Sequence, residues 1–389
     1  MRVGVDGKER SWDKGLFGIT FVLVVGGLVM IYSASTVMAA KKYGDSFFFL
    51  KQQLLWAILG MMALVMASSI PYRWWRKMVV PLTGISLALL VLVILPSIGL
   101  SANGARRWLP LGPLTFQPSE LAKLVLILYL AHYLVKHKEK IMSWREGLLF
   151  PIFLVGLFIF LVLSEPDLGG AVVMGVVAVS LLFVGGARVH HLLVLAIGLI
   201  PLLYTAILTS PYRMERLSVY LDPWKDPSNS GFQMVQSFLS LGSGGPFGLG
   251  LGAGKQKLFY LPEPHTDFIF AVIGEELGFL GGLILIGCFL FLVWRGLRIS
   301  LKVGDPFGTY LGFGITLMIA VQALMNMGVV TGLLPTKGLP LPLISYGGSS
   351  LLVTLTGIGI LLGLSKQGGM FSRVRPYDVG RKVARGRRA

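Results

Sequence analysis

Residues 16–35 read LFGITFVLVVGGLVMIYSAS and contain no charged side chain. A helix of about 20 such residues crosses the ~30 Å hydrocarbon core of a bilayer, and in lipid the backbone of the run must be helical to satisfy its hydrogen bonds. Nine further runs share this apolar character. We therefore predict an all-α polytopic membrane protein with ten transmembrane helices, which lie near residues 16–35, 52–70, 79–97, 118–136, 147–164, 168–186, 190–209, 267–294, 307–329 and 349–365.

The composition supports this bundle and excludes an ordinary soluble domain. Hydrophobic residues fill 54% of the 389 positions and charged residues only 14%, against about 25% charged residues in soluble domains. The single cysteine, Cys288, allows no intrachain disulfide. We predict one transmembrane domain over residues 1–366, followed by a basic cytoplasmic tail at 367–389.

The net charge of +17 is divided unevenly between the two sides of the predicted bundle. About two thirds of the Lys and Arg residues fall on the side of the N-terminus, and the positive-inside rule makes that side cytoplasmic. Both termini are therefore predicted to be cytoplasmic. Because membrane topology explains the positive charge, we predict no nucleic-acid partner.

Three segments on the outer side of the predicted bundle are informative. Segment 98–117 connects the third and fourth spans. Segment 210–266 is a large extracytoplasmic loop between helices 7 and 8. Its aromatic residues, among them Trp224, Phe232, Phe238, Phe247, Phe259 and Tyr260, favour an ordered cap on the bundle. Segment 330–348 is rich in Pro and Gly yet apolar, which indicates a non-helical stretch that dips into the bundle.

Asp267 follows His265 and Thr266 at the point where the eighth predicted helix leaves the outer loop. Thr266 or Asp267 is a candidate N-cap of that helix, which would give the residue a structural role. A helix N-terminus also favours an ionised carboxylate, and such a group at the water–lipid boundary can accept a proton from a bound hydroxyl group. Spacing alone leaves both the cap and the general base open.

Two further carboxylates, Glu275 and Glu276, lie about two turns deeper in the same predicted helix. Only Glu275 shares the general face of Asp267, because successive residues are about 100° apart around a helix. Carboxylates inside a membrane are costly and usually paired. A proton relay remains open, but we favour structural pairs with an Arg or Lys of another helix.

Charged residues elsewhere on the outer side form candidate ligand sites. In QPSELAK, Gln117 is the expected N-cap, and Glu120 and Lys123 share one helix face, either as an ion pair or as part of a binding site. Arg213 and Arg216 share a face of a predicted short helix. Two guanidinium groups in that arrangement can bind a phosphate or diphosphate, or they can neutralise nearby carboxylates.

Other motifs predict structure rather than chemistry. Asp167, in SEPDLGG, is expected to cap the sixth span. The glycine-rich run at 241–257 is not a phosphate-binding P-loop, because Leu249 and Gln256 stand where that pattern requires Gly and Ser or Thr. No HExxH or CxxC motif is present, so we predict no metal site in the protein itself.

Three long motifs carry a resemblance to a known family. They are LDPWKDPSNSGFQMVQSFLSLGSGGPFGLGLG at 221–252, KLFYLPEPHTDFIFAVIGEELG at 257–278 and VVTGLLPTKGLPLPLISYGGSSL at 329–351. With them, essentially the whole chain resembles the SEDS family (shape, elongation, division and sporulation). PTKG at 335–338 and the motif around Asp267 make the chain more similar to the division members of this family than to the elongation members.

The resemblance implies a glycosyltransferase that polymerises lipid II into peptidoglycan strands at the outer face of the bacterial cytoplasmic membrane, for septal synthesis in cell division. It also implies a class B penicillin-binding protein as transpeptidase partner, and contacts with the division or elongation machinery. No cofactor is assigned. A divalent cation, Mg²⁺ or Mn²⁺, is a further candidate near the diphosphate of the substrate.

The same resemblance suggests roles for individual residues. Asp267, in HTDF, stands at the position of the family's catalytic aspartate. Pro264 departs from the small residue expected before HTDF, which itself is intact. Substrate binding is assigned to Trp108, Glu120, Lys123, Arg213, Arg216, Lys257, His265, Lys337 and Ser345.

The implied reaction needs only one protein carboxylate. The donor sugar carries a diphosphate–lipid leaving group that departs readily once cations neutralise it, whereas a glycosidase, which expels a poorer leaving group, needs two carboxylates. Displacement at an α-linked donor gives a β-linked product, an inverting outcome. Three alternatives remain, namely a lipid II flippase, the elongation-type polymerase and a non-catalytic scaffold that recruits a transpeptidase.

Overall fold

The structure, a computed structural model, describes residues 12–96, 98–102, 105–112, 114–208, 211–255, 257, 264–336 and 338–367. Within these residues the chain forms helices, the segments that connect them, and one small sheet. The α-helices are α1 (Lys14–Tyr43), α2 (Phe48–Ser69), α3 (Tyr72–Lys77), α4 (Val79–Ile94), α5 (Pro118–Lys136), α6 (Leu149–Ser164), α7 (Leu168–Val184), α8 (Val189–Leu208), α9 (Pro211–Leu221), α10 (Phe232–Ser243), α11 (Ile269–Lys302), α12 (Pro306–Val330) and α13 (Gly348–Gln367). The strands are β1 (Leu100–Ala102), β2 (Ala105–Leu111) and β3 (Leu114–Phe116).

Each of the ten predicted apolar spans coincides with a helix of the structure. Seven helical stretches are long and apolar enough to cross a membrane, and α4, α7 and the first half of α8 are shorter apolar helices. The chain is therefore a multi-pass membrane protein. The seven are Lys14–Tyr43, Phe48–Ser69, Pro118–Lys136, Trp144–Ser164, Ile269–Lys302, Pro306–Val330 and Gly348–Lys366.

Three helices form the centre of the bundle. In the most apolar stretch of each helix, the buried share is 83% for α5, 78% for α13 and 67% for α12. For α6 and α11 it is only 28%. Helix α5 packs against α4, α7, α12 and α13. Large apolar side chains such as Phe150, Phe153 and Phe160 point outward from the bundle, where lipid can cover them.

Small residues allow the closest helix contacts. A Cβ added at Gly359 of α13 would lie 2.4 Å from the backbone oxygen of Leu64 in α2. The same addition at Gly27 of α1 would lie 2.6 Å from the carbonyl oxygen of Leu343, in the segment between α12 and α13. Membrane helices commonly use glycine in this way, because their association depends on close packing.

The small sheet corrects the prediction of an all-α fold. Strand β2 lies between β1 and β3 and pairs with both in antiparallel fashion. Trp108 is paired with Leu100, and Leu109 is paired with Phe116. The sequence pattern missed these hairpins because β1 and β3, the partners of β2, have only three residues each. The segment contains no apolar run of membrane length, so its backbone is not constrained to be helical.

The predicted cap at 210–266 contains α9, a 3₁₀ turn at Pro223–Lys225, and α10. Helix α10 packs against α11 and, less extensively, against α12. The aromatic residues Phe259 and Tyr260, which helped to predict an ordered cap, lie outside the described residues. The basic tail predicted at 367–389 lies outside them too, apart from Gln367.

Helix α11 is interrupted at Gly278, where φ is 70° and ψ is −169°. A positive φ of this kind is available to glycine without strain. The interruption leaves the carbonyl groups of Glu275 and Glu276 without their usual helical partners, and they accept hydrogen bonds from the backbone N–H groups of Leu249 and Gly250, each at 3.0 Å. The glycine-rich part of segment 210–266 is thus docked on α11 through its backbone.

Candidate active site

Asp267 lies in the turn 264–268, at the end of the bundle where α1 and α12 finish and where α2, α5, α7, α11 and α13 begin. Helix α11 begins at Ile269 with Phe268 as its N-cap. The prediction that Thr266 or Asp267 would be the N-cap was therefore wrong. The carboxylate of Asp267 is half-buried and faces the segment after α12, since a Cβ added at Gly338 would lie 3.1 Å from its Oδ2.

Three consecutive carbonyl groups hold the turn in place. The carbonyl of His265 accepts from the backbone N–H of Tyr346 at 2.9 Å. The carbonyl of Thr266 accepts from Oγ of Ser345 at 2.6 Å, and that of Asp267 accepts from Nδ2 of Asn326 at 2.8 Å. The backbone of the candidate base is therefore tied both to α12 and to the segment 331–347.

Asn326 also joins the two sides of the site to each other. Its Nδ2 donates a second hydrogen bond, at 2.7 Å, to the carbonyl of Leu339, and its side chain is buried. We did not single out this residue from the sequence. The available signal was an amide within an apolar span, because a polar side chain in such a span normally requires hydrogen-bond partners.

Apart from Lys337, which is not described, the segment 331–347 is non-helical, as its composition predicted, and residues 341–345 within it are buried. Ser345 folds it back on itself by accepting a hydrogen bond from the backbone N–H of Leu341 at 2.8 Å. Gln53 of α2 donates to the carbonyl of Ser345 at 3.3 Å. Ser345, assigned to substrate binding by resemblance, thus lies in the framework beneath Asp267, and direct substrate contact stays a prediction.

Glu120 and Lys123 form the ion pair expected from their spacing. Nζ of Lys123 lies 2.8 Å from Oε1 of Glu120, and both side chains are almost fully buried on α5. The adjacent Asp167 is the N-cap of α7, as predicted, and accepts from the N–H of Gly170 at 2.9 Å. A buried pair is costly to separate, so the geometry favours the structural role. A binding role for Glu120 and Lys123 remains a prediction.

The predicted arginine pair lies on α9. Arg216 donates from Nη1 to the carbonyl of Thr336 at 2.8 Å, which links α9 to the segment 331–347. Arg213 occupies the same helix, but its side chain is outside the described residues. Lys337 is also outside them. Arg216 therefore contacts the segment 331–347, whose Gly338 faces Asp267. The assignments of Arg213 and Lys337 stay predictions.

Trp108 is half-buried on β2. The sheet is attached to the site end of the bundle through β3, because the carbonyl of Thr115 accepts from Oγ of Ser349 at 3.3 Å. The same Oγ accepts from the backbone N–H of Gln117 at 2.9 Å. Trp108 is thus carried by a sheet that borders the site, and its contact with substrate stays a prediction.

Lys257 and Glu276 form a second buried ion pair, with Nζ and Oε1 2.5 Å apart. Ser33 of α1 donates to both carboxylate oxygens of Glu276, and the backbone N–H of Gly252 donates to Oε2 at 3.1 Å. Glu275 accepts from the backbone N–H of Lys255 at 2.7 Å.

These contacts correct the prediction for Glu276, whose ionic partner Lys257 belongs to segment 210–266 and not to another helix. This segment reaches the carboxylates where α11 is interrupted at Gly278. For Glu275, a pair with an Arg or Lys of another helix stays a prediction. The placement of Lys257 favours a role in holding the outer segment on α11. Its assignment to substrate binding stays a prediction.

Replacing Lys257 with methionine is expected to lower the thermal stability of the purified protein. Loss of one partner from a buried pair costs roughly 3–5 kcal/mol, and we expect a smaller loss because Ser33 and Gly252 still donate to Glu276. The double substitution Lys257→Met with Glu276→Leu should recover part of the loss, because it removes the buried charge. A single variant as stable as the wild type would contradict this account.

His265 is buried between two aromatic rings. Its ring centroid lies 4.3 Å from that of Phe49 and 5.4 Å from that of Tyr346. Burial, with a smaller contribution from Lys42, lowers the pKa of His265 to about 4. At neutral pH His265 is therefore uncharged in this structure. Its assignment to substrate binding stays a prediction.

The lowered pKa of His265 predicts a pH dependence of stability. Between pH 6.5 and 4 the unfolded chain binds a proton on this residue that the folded chain does not bind, so stability falls as the pH is lowered through this range, by at most ~3 kcal/mol. The thermal midpoint should therefore fall less between pH 7 and pH 4 in His265→Gln than in the wild type. Equal falls in both proteins would contradict the prediction.

The fold and the site together describe a multi-pass membrane protein that holds an aspartate at one end of its helix bundle. A family model for cell cycle proteins of the FtsW, RodA and SpoVE type matches residues 14–369. The chain belongs to this family.

Individual relatives are similar to the chain over nearly its full length. The chain is 49% identical over 356 residues to a "Probable peptidoglycan glycosyltransferase FtsW" of Geobacter metallireducens, a match that covers 92% of this chain and 95% of the relative. A chain from a study of the "Structural coordination of polymerization and crosslinking by a peptidoglycan synthase complex" superposes with a TM-score of 0.76 at 35% identity, over 92% of this chain and 98% of that one. A crystal structure of the rod shape determining protein RodA of Thermus thermophilus gives 0.66 at 31% identity, over 94% and 98%.

Proposed function

We propose that this protein is a peptidoglycan glycosyltransferase that polymerises lipid II into glycan strands at the outer face of the cytoplasmic membrane, for septal synthesis. The observation that carries the proposal is the fixed carboxylate of Asp267, whose turn is held by three separate hydrogen bonds to its backbone carbonyls. The relative from Geobacter metallireducens is named a probable peptidoglycan glycosyltransferase, which supports the proposal.

The topology that we propose has ten transmembrane helices with both termini in the cytoplasm. The uneven distribution of Lys and Arg residues supports this orientation. In this orientation Asp267, the sheet and α9–α10 all lie on the outer side. The lipid tail of the substrate stays in the bilayer beside the helices, and its sugar head reaches the end of the bundle where Asp267 lies.

In the proposed mechanism Asp267 accepts the proton of the 4-hydroxyl group of the acceptor sugar. The acceptor oxygen forms a bond to the anomeric carbon of the donor as the bond from that carbon to the diphosphate breaks, with inversion. A positioned general base contributes a rate factor of about 10²–10⁴. Lys123, Arg213 and Arg216 are the candidate cations for the departing diphosphate, whose charge they would neutralise.

A metal requirement stays a proposal. In the ranges that the structure describes, no three His, Cys, Asp or Glu side chains converge to hold a metal ion. The chain therefore shows no dedicated metal site there, and no step of the mechanism is assigned to a metal. Removal of divalent cations with EDTA, followed by restoration with Mg²⁺, measures whether polymerisation depends on them.

The proposed partner is a class B penicillin-binding protein that cross-links the new strands, within the division machinery. The peptidoglycan synthase complex that matches this chain couples polymerisation with crosslinking, and it supports this choice. The similarity to RodA supports the elongation machinery as the alternative setting.

Purified protein, incorporated into vesicles with lipid II and the partner transpeptidase, separates the transferase from the flippase. The proposal predicts long glycan strands on a gel. Transfer of lipid II between leaflets without any polymer would instead favour the flippase. Absence of both activities, with normal septal synthesis in cells that express only Asp267→Asn, would favour the scaffold.

A further inference from the structure

A small cavity of about 160 Å³ opens between α9, α10 and the segment 331–347. We name it the α9–α10 cavity. It is separate from the residues that hold the turn of Asp267, and Arg216 is the one lining residue that the proposed mechanism names. Its lining consists of Glu215, Arg216, Val219, Ser230, Gln233, Met234 and Thr336.

The cavity lies next to the wall of the Asp267 site. Thr336, which lines it, is two residues before Gly338, so their Cα atoms are at most about 7 Å apart. Gly338 faces the carboxylate of Asp267. The hydrogen bond from Arg216 to the carbonyl of Thr336 fixes this wall to α9. A group in the cavity can therefore belong to the same molecule as a sugar at Asp267.

The lining has the chemistry of a site for a peptide. Gln233 carries an amide, Ser230 carries a hydroxyl group, and buried Val219 and Met234 provide apolar surface. An amide side chain can both donate to and accept from a peptide backbone. An engineered protein cavity of about 150 Å³ accepts a benzene-sized group, so the α9–α10 cavity has room for about one small amino-acid residue.

The charges of the lining argue against a diphosphate. Arg216 and the adjacent Glu215 both line the cavity, so its formal charge is balanced. A diphosphate is better held by several cations without a neighbouring carboxylate. A peptide residue, with its own donors, acceptors and carboxylate groups, matches a balanced lining.

We propose that the α9–α10 cavity binds the peptide substituent of the sugar–lipid substrate and so places the sugar at Asp267. The proposal rests on the proposed function, because it takes lipid II as the substrate. One residue of the peptide occupies the cavity against Val219 and Met234. The amide of Gln233 pairs with the peptide backbone.

The test compares lipid II with a full peptide and lipid II from which the whole peptide has been removed, here called the trimmed substrate. Initial rates of polymerisation are measured with the purified protein and its partner transpeptidase. For the wild type we expect a KM about tenfold higher with the trimmed substrate, which corresponds to ~1.4 kcal/mol of lost binding, at a similar kcat. Gln233→Ala should raise KM for the full substrate and leave the rates with the trimmed substrate unchanged.

The matched control is Gln236→Ala, which removes the same side chain from the same helix outside the cavity lining. It should keep the wild-type preference. The rate with the trimmed substrate reports whether each variant is folded. If the wild type polymerises both substrates with the same KM, only the cavity assignment is overturned. The same conclusion follows if Gln233→Ala loses activity equally with both substrates. Failure of the wild type to polymerise either substrate would refute the proposed function and the cavity assignment with it.

Discussion

Asp267→Asn is expected to lower the rate of glycan polymerisation by about 10²–10⁴-fold, the contribution typical of a positioned general base. Asparagine has nearly the same shape as aspartate but cannot accept the proton of the acceptor hydroxyl group. The substitution leaves the backbone carbonyl of residue 267 available to Nδ2 of Asn326, so the turn should keep its place. The loss should therefore appear in kcat, without a large change in thermal stability.

Asp45→Asn is the matched control. Asp45 lies in the connection between α1 and α2, near the site end of the bundle, and its carboxylate is paired with the exposed Lys51 at 2.7 Å. Exposed pairs contribute only about 0–1 kcal/mol, so this variant should polymerise at close to the wild-type rate. If Asp267→Asn also kept the wild-type rate with purified lipid II, Asp267 would not be the base.

Asn326→Leu is expected to give the second large loss. Leucine has the same branched shape but removes the donor that the carbonyl groups of Asp267 and Leu339 share. Each unsatisfied buried group costs about 1–3 kcal/mol, and a displacement of ~1 Å at a reacting group can lower the rate about 10²-fold. We expect a lower thermal midpoint and a kcat reduced by roughly that factor, with KM changed much less.

Asn326→Asp separates positioning from a general loss of structure. An ionised carboxylate at this position cannot donate, whereas a protonated one can donate a single hydrogen bond. The activity of Asn326→Asp relative to the wild type should therefore rise as the pH is lowered, while the relative activity of Asn326→Leu should not. A parallel pH dependence in both variants would contradict the positioning role.

Gln322→Leu is the matched control for Asn326. Gln322 is buried on the same helix, and its amide has no hydrogen-bond partner among the described residues. Replacing it with an apolar residue of similar size removes an unsatisfied group, so stability should be unchanged or higher. A loss as large as that of Asn326→Leu would show that α12 tolerates no substitution here, and it would remove the evidence for a specific role of Asn326.

Local features of the chain were predictable. The ten apolar runs identified helices because lipid leaves a run of that length no other way to satisfy its backbone. The pair Glu120–Lys123 and the cap at Asp167 followed from spacings of three residues, which bring groups together on one helix or at its first turn. The composition of 330–348 predicted its irregular backbone.

Contacts between distant parts of the chain were not predictable in the same way. The sheet at residues 100–116 depends on the pairing of short strands. Glu276 was expected to pair with an Arg or Lys of another helix, yet its ionic partner is Lys257, because Gly278 interrupts α11 and admits segment 210–266. The N-cap expected at Thr266 or Asp267 was displaced to Phe268, since the backbone of the preceding turn is held by groups from α12 and from the segment 331–347.

By itself, therefore, the sequence determined a membrane bundle and nominated Asp267 as its reactive carboxylate, because apolar length and motif are properties of contiguous residues. Only the tertiary structure decided how that carboxylate is held. Asn326, Ser345 and Tyr346 reach its turn from positions 59 to 81 residues further along the chain. Hydrogen bonds across such separations depend on how helices pack, which no local spacing specifies.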